Sequence, residues 1–226
     1  MSSIEPLRRW PLFAELADEE LEDLAGHLGR RVFGRGVFIF HKDSPGHLLY
    51  FIESGRVRLF VISESGQEVS VDILGPGDLL GDLAVIDERP RATGAVALEQ
   101  TTTLTLHRED LLRLWHAYPR LAQNQMESLA RRLRYTLRFV EDLAFLDVNS
   151  RVAGRLLDLA GRCGVQRGGI EIELNLTQGE LATWVAASRE SINKALATFR
   201  TKALIAMDGP KIIILDRRRL EREVRY

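Results

Sequence analysis

The 226 residues are 45% apolar and 28% charged, with a formal net charge of −1, the balance of a globular chain with room for two domains of ordinary size. No apolar run approaches the ~20 residues that span a bilayer, and the start, MSSIEPLRRW, lacks the apolar core of a secretion signal, so the expected compartment is the cytoplasm and no membrane partner is expected. A single cysteine, Cys163, excludes an intrachain disulfide framework and a four-cysteine cluster supplied by one chain.

In chain order, residues 6–31 read as short helices. Leu21, Leu24, Ala25 and Leu28 form the apolar stripe, opened by Asp18 with Glu19 and Glu20 in the first turn. From Val32 the rhythm changes to short β segments rich in Val, Ile, Phe and Thr. Ser54-Gly55, Ser65-Gly66 and Pro76-Gly77-Asp78 break them at roughly ten-residue intervals, which predicts a jelly roll or related double sheet. No helix is predicted between Val32 and Asp82. A metal-dependent enzyme on such a sheet would need clustered His and carboxylate ligands. Here His41 and His47 sit on loop-like segments and His107 at a strand end, so no metal is expected and that reading stands only as a rival.

Residues 75–97, GPGDLLGDLAVIDERPRATGAVA, fit a small-ligand sensor better. Gly81-Asp82-Leu83 opens a helix from Leu83 to Ile86 whose first amides suit an anion. A turn then places Arg91 at the start of the next strand. Helix amides with one guanidinium make a phosphate cradle, and Asp82 can accept from a sugar hydroxyl. The alternative on local chemistry is a loop whose Arg91 pairs with a nearby acid.

The chain turns helical again after His107. HREDLLRLWHAYP is a short amphipathic segment ended by Pro119, and a helix of about seven turns follows. Its Met126, Leu129, Leu133, Thr136, Val140 and Leu143 are spaced 3, 4, 3, 4, 3, a coiled-coil seam for a parallel dimer. Packing within one chain is the alternative. Asp147-Val148-Asn149 reads as a hinge that caps the helix Ser150–Arg162, and Gly164 to Asn175 reads as a small hairpin around Gly168-Gly169.

Residues 176–200, LTQGELATWVAASRESINKALATFR, read as two short helices around a tight turn. Thr177 and Glu180 form a capping box, Leu181, Trp184 and Val185 give the first helix its apolar face, and Ser188 caps the second. Ile192, Ala195, Leu196 and Phe199 share one face of that second helix. Arg189, Glu190, Asn193 and Lys194 share the other, with their spacing of four projecting them together. In a helix-turn-helix this half enters the major groove, where Arg can fork onto guanine and Glu accept from cytosine. Such folds usually carry Gly in the turn, and Ala186 stands there instead. The next residues, ALIAMDGPKIIILD, give strand, Asp208-Gly209 turn and strand, the wing of a winged helix. A basic, helical tail DRRRLEREVRY follows, able to touch phosphates or simply solvated.

Charge supports this polarity. Residues 1–115 hold 12 Lys and Arg against 19 Asp and Glu, residues 116–176 hold 9 against 7, and residues 177–226 hold 10 against 6. Basic charge gathered at one end is the footprint of nucleic-acid binding.

With these residues in view, the chain resembles the CRP/FNR family of transcription regulators over almost its whole length. The segments that carry the resemblance are GDLAVIDERPRAT (81–93), LARRLRYT (129–136), LAFLDVNSRVA (143–153) and SRESINK (188–194). It implies an α+β chain: a cyclic-nucleotide-binding β-roll over residues 1–117, a dimerisation helix and hinge over 118–146, and a winged helix-turn-helix over 147–226. It implies an effector site of Gly81, Asp82, Leu83, Arg91, Ala92, Thr93, Thr136 and Leu137. Asp82 stands where cyclic-AMP binders have Glu, Ala92 where they have Ser, and Leu137 where the partner chain has Ser. Thr93 is the neighbour of Ala92, and successive strand residues face opposite ways. Arg91 and Thr136 match the family. Cyclic AMP is therefore the expected effector, with another ligand such as cyclic di-GMP, or none at all, as alternatives. The lone Cys163 disfavours the iron–sulfur type, and the lack of Cys or His in the relevant part of the β-roll disfavours the haem type. The DNA-facing set is Thr177, Gln178, Ser188, Arg189, Glu190, Asn193 and Lys194, with Lys194 where cyclic-AMP receptors have Arg. Expected partners are palindromic duplex DNA with half-sites resembling TGTGA, a second copy of the chain, and RNA polymerase; no catalytic residue is expected.

Overall fold

β-branched and aromatic residues at alternating positions, interrupted by Gly, Pro and Asp, make the first half of the molecule strands rather than helices. The computed structural model describes residues 4–173, 178–209 and 211–224, without the side chains of residues 162, 163, 173 and 178. The predicted cap Thr177 and hairpin end Asn175 lie outside the described residues, as do the side chains of Gln178 and Cys163. The chain divides into two compact units, Met1–Gln67 with Val71–Tyr135, and Glu68–Ser70 with Thr136–Tyr226.

The first unit opens with a 3-10 turn, Glu5–Arg9, and helix α1 (Asp18–Gly26). Eight strands follow: β1 (Gly29–Phe33), β2 (Phe38–Phe40), β3 (Leu48–Ser54), β4 (Val57–Ile62), β5 (Glu68–Leu74), β6 (Leu79–Leu80), β7 (Gly94–Ala97) and β8 (Thr101–His107), with α2 (Asp82–Asp87) between β6 and β7. They form two four-stranded sheets, ordered β1-β8-β3-β6 and β2-β7-β4-β5. The period of two on β3 explains the layering. Tyr50 and Ile52 join Ile39, Val57, Leu59, Leu74 and Ala95 in one core. Leu49 and Phe51 turn to the other side, where Trp10, Phe13, Leu21, Leu24, Leu111 and Leu114 cover them. A strand buried on both faces must be apolar throughout, and each such side chain contributes about 1.5–3 kcal/mol.

The strand region begins three residues earlier than the sequence predicts. Gly29, Arg30 and Arg31 pair along β8 with Thr105, Leu104 and Thr103 instead of extending a helix. Sheet pairing overrides the local helical content here, and a side chain at Gly29 would meet the Thr105 hydroxyl at 2.7 Å. Helix α1 also starts without a side-chain cap, since its N-cap is Ala17. Glu20 compensates by accepting from the Ala17 N–H at 2.7 Å. No helix interrupts the described strands before Asp82, as expected.

Helices α3 (Arg108–Ala117) and α4 (Pro119–Phe145) come next. Pro119 starts α4, where its missing N–H costs nothing. The unit boundary falls inside α4, so the residues from Thr136 onward belong to the second unit. That unit continues with α5 (Val148–Cys163), β9 (Val165–Gln166), β10 (Ile170–Glu173), α6 (Gln178–Val185), α7 (Arg189–Thr201), β11 (Ile205–Asp208), β12 (Lys211–Ile214) and α8 (Arg217–Glu221). The predicted small hairpin and wing join in one sheet, ordered β11-β12-β10-β9, which the sequence did not specify. Val152, Leu156, Trp184, Ile192, Phe199 and Ile212 are buried in this unit. The tail helix α8 is short but docked, with Leu220 fully buried.

Candidate effector cavity and nucleic-acid interface

Six of the predicted effector residues converge. Gly81, Asp82, Leu83, Arg91, Ala92 and Thr93 line one cavity in the first unit, together with Phe40, Leu59, Ala84 and Arg132. Arg91, Ala92 and Thr93 are not at the start of a strand, because β7 begins only at Gly94. They form an irregular segment, so the alternation that would turn Thr93 away does not apply, and Thr93 and Ala92 both line the cavity. Thr136 and Leu137 stand exposed on α4 in the second unit.

Arg91 is 3% exposed. Its Nη1 donates to the Gly81 carbonyl at 2.6 Å and its Nη2 to the Leu48 carbonyl at 2.8 Å. The guanidinium carbon lies 4.4 Å from the Phe40 ring centroid, a cation–π placement. Gly81 holds φ 86°, and a Cβ there would strike the guanidinium, so glycine is required twice over. Burial lowers the Arg91 pKa, and the nearby Tyr50 and Asp82 oppose that shift. The buried Nε has no hydrogen-bond partner among the described residues. Next to it, α2 begins at Gly81 with no side-chain cap, leaving first-turn amides for an anion.

Asp82 departs from expectation. Its carboxylate is 1% exposed and is held by Arg132 Nη1 at 2.6 and 2.8 Å, with Gln125 Nε2 donating at 3.2 Å. The acid reserved for a sugar hydroxyl is thus already paired, because an unpaired carboxylate at this depth would be too costly. The space is partly open and only about 40 Å³, whereas sites for small organic ligands span about 300–1,000 Å³. Arg132 and Gln125 were not anticipated as site residues. Their signal lay in spacing: Leu121, Gln125 and Arg132 repeat at four and seven, one face of α4, and Leu121 and Gln125 are both buried.

Most of the predicted seam residues on α4 are exposed. Met126, Leu133, Val140 and Leu143 are 63, 61, 54 and 40% exposed, and Leu137 and Phe145 join them at 55 and 72%. Leu129 is half-buried and Thr136 exposed. This is a larger run of exposed apolar side chains than a lone helix tolerates in water.

In the second unit, α7 buries Ile192, Ala195, Leu196 and Phe199. Ser188, Arg189, Glu190, Asn193 and Lys194 are all exposed. The Ser188 hydroxyl accepts from the Ser191 N–H at 3.1 Å, as an N-cap should. Ala186, in the turn, takes φ 53°, the left-handed conformation that Gly usually supplies. The Arg189 guanidinium rests against Gly179 of α6, where a Cβ would lie 2.7 Å from Nη2. Gly179 therefore joins the surroundings of Arg189, and its signal is a glycine two residues before the apolar stripe that opens at Leu181.

Asp147 is the N-cap of α5, and Val148 and Asn149 lie in its first turn, so the helix starts two residues before the predicted Ser150 and takes in most of the predicted hinge. Asp147 accepts from the Ser150 N–H at 2.8 Å, and that bond above all lowers its pKa. Arg151 ties the Leu146 carbonyl, at 2.8 Å, to the Val185 carbonyl, at 3.0 Å. A polar hollow of about 300 Å³ beside it is lined by Phe145, Asp147, Asn149, Ser150, Lys202 and Glu223. Among the described residues no three His, Cys, Asp or Glu side chains could hold a metal ion, and no helix is long and apolar enough to cross a membrane.

Comparison with known proteins now decides the family. Residues 30–118 match the cyclic nucleotide-binding domain and residues 150–223 the Crp-like helix-turn-helix domain. Over 223 residues the chain is 38% identical to a CRP-like cAMP-activated global transcriptional regulator of Mycobacterium tuberculosis, covering 98% of this chain and 99% of that one. The chain belongs to the CRP/FNR family of transcription regulators. Its similarity to the cyclic AMP receptor protein of Thermus thermophilus is 35% over 216 residues, 96% of this chain and 97% of the relative. The structure of FixK2 from Bradyrhizobium japonicum shares the fold, with a TM-score of 0.80 at 20% identity, covering 88% of this chain and 98% of that one. As a CRP-like regulator, the chain combines a cyclic-nucleotide-binding β-roll with a DNA-reading helix-turn-helix.

Proposed function

We propose that this regulator is a homodimer that binds a palindromic operator and is switched by cyclic AMP seated at the cavity around Arg91. The buried guanidinium beside the uncapped start of α2 is the observation that carries this reading. It offers a charge-assisted donor where a cyclic phosphate would sit, and such bonds are about twice as strong as neutral ones. The relatives from Mycobacterium tuberculosis and Thermus thermophilus, a cAMP-activated regulator and a cyclic AMP receptor protein, agree with it. For the nucleotide to enter, Arg132 gives up part of its hold on Asp82, and a ribose hydroxyl takes its place. Thr93 supplies the hydroxyl that Ala92 lacks. Ligand binding then shifts the population toward the arrangement in which both recognition helices meet one duplex. The bare α4 seam takes a second copy of the chain, which spaces two α7 helices about one DNA turn apart. RNA polymerase is the partner through which such a regulator acts. Calorimetric titration with cyclic AMP, cyclic GMP and cyclic di-GMP, paired with anisotropy on a TGTGA palindrome, tests the assignment. Saturable cyclic AMP binding that tightens DNA binding is expected; a chain indifferent to all three nucleotides would overturn the effector assignment. Sedimentation of the free protein as a monomer at every concentration would overturn the dimer.

A further inference from the structure

Arginines at positions 151 and 155 are one helical turn apart on α5 and face the same way. Arg151 holds carbonyls on both sides of it, as described above. Arg155 is 4% exposed, and its guanidinium carbon lies 4.6 Å from the ring centroid of Phe139 on α4 and 5.2 Å from that of Trp184 on α6. Phe139 is 8% exposed and Trp184 fully buried, so the cation sits between two aromatic rings out of water. Asp158, one turn on, places a carboxylate oxygen 3.6 Å from Nη1, which offsets the charge without leaving the helix. All four residues belong to the second unit. A desolvated cation between two rings is a strong, directional contact, and neither ring can be supplied by an aliphatic side chain.

We infer that Arg155 is a positioning residue for DNA reading: clasped by Phe139 and Trp184, it makes the last turns of α4 and the first helix of the helix-turn-helix one rigid piece. Bending at Leu146–Asp147, the junction between α4 and α5, is restrained by the same clasp together with Arg151. Movement of the dimer helix is then handed directly to α6, and through the Ala186 turn to α7. This inference rests on the function proposed above, because it assigns a role in operator binding.

The test uses full-length protein carrying Arg155→Met, which keeps the stem and removes the charge. In hydrogen–deuterium exchange without ligand or DNA, the amides of Phe139–Phe145 and of Ala182–Val185 lose protection together. Loosening of α6 alone overturns the clasp. On a TGTGA palindrome, the ratio of DNA affinities with and without cyclic AMP falls about tenfold in the variant, the scale of a lost desolvated cation–aromatic contact. An equal loss in both conditions marks Arg155 as a packing residue only and overturns the positioning role. If Arg155→Met does not fold, Phe139→Leu and Arg155→Lys replace it: the first reproduces the joint loosening and the second restores most of the protection. Full protection in Phe139→Leu overturns the inference. Wild-type protein that ignores the duplex would instead sink the proposed function, while the exchange experiment still decides the clasp.

Discussion

In the cavity around Arg91 the charged groups already have protein partners: Asp82 has Arg132 and Gln125, and Arg91 has two carbonyls and an aromatic ring. On α7 Arg189, Glu190, Asn193 and Lys194 stand in water. A ligand entering the cavity must therefore exchange buried bonds for buried bonds, so its net affinity is a difference between similar terms. Under the proposed function, DNA arriving at α7 would displace water and counterions, which makes that contact more salt-sensitive than one inside the buried cavity. One surface is built to be changed by what it binds, the other to be presented.

The sharpest way to break this contrast is to remove one side of the buried pair. Arg132→Met strands the Asp82 carboxylate and is expected to cost the first unit about 3 kcal/mol, the lower end for a broken buried pair because Arg132 reaches solvent. Adding Asp82→Asn should recover most of the lost melting temperature; no recovery would mean the pair is not the source. Next in size, Arg91→Gln should weaken cyclic AMP by about 1.5–3 kcal/mol, ten- to hundredfold by calorimetry. Unaltered affinity would move the phosphate elsewhere. Smaller still, Gly179→Ala pushes the Arg189 guanidinium aside without harming the fold. Discrimination between the preferred and a mutated half-site should drop by about 1–2 kcal/mol while non-specific binding holds. The gentlest probe is pH. The folded-state pKa of Asp147 is depressed, so its contribution is full above the ordinary aspartate range, about 3.9, and is lost as pH falls through the lower folded value. Asp147→Asn should flatten the acid limb of the second unit's stability curve and leave neutral pH nearly unchanged in shape; an identical acid limb would remove Asp147 from the account.

The contrast also explains what could be read from sequence. The two faces of α7 were legible because Arg189 with Asn193, and Glu190 with Lys194, sit four apart on a helix whose other side is apolar, and local spacing is all that such a division requires. The long helix and the paired strands were legible by the same periodicities. The committed cavity was not, since Asp82 and Arg132 are 50 residues apart and only folding makes them partners. Strand β1 was read as helix up to Arg31 because its identity depends on β8, which lies far along the chain. Strand alternation, which would turn Thr93 away from Ala92, does not hold in the irregular backbone of residues 91–93.

The left-handed backbone at Ala186 has a practical consequence. That conformation costs an L-residue about 1–2 kcal/mol relative to its right-handed form, and glycine escapes the cost while losing somewhat more freedom on folding. Exchange of this one methyl group for hydrogen would raise heat tolerance while leaving the exposed side chains of α7 untouched. Endurance and target choice can therefore be tuned in this chain as separate traits.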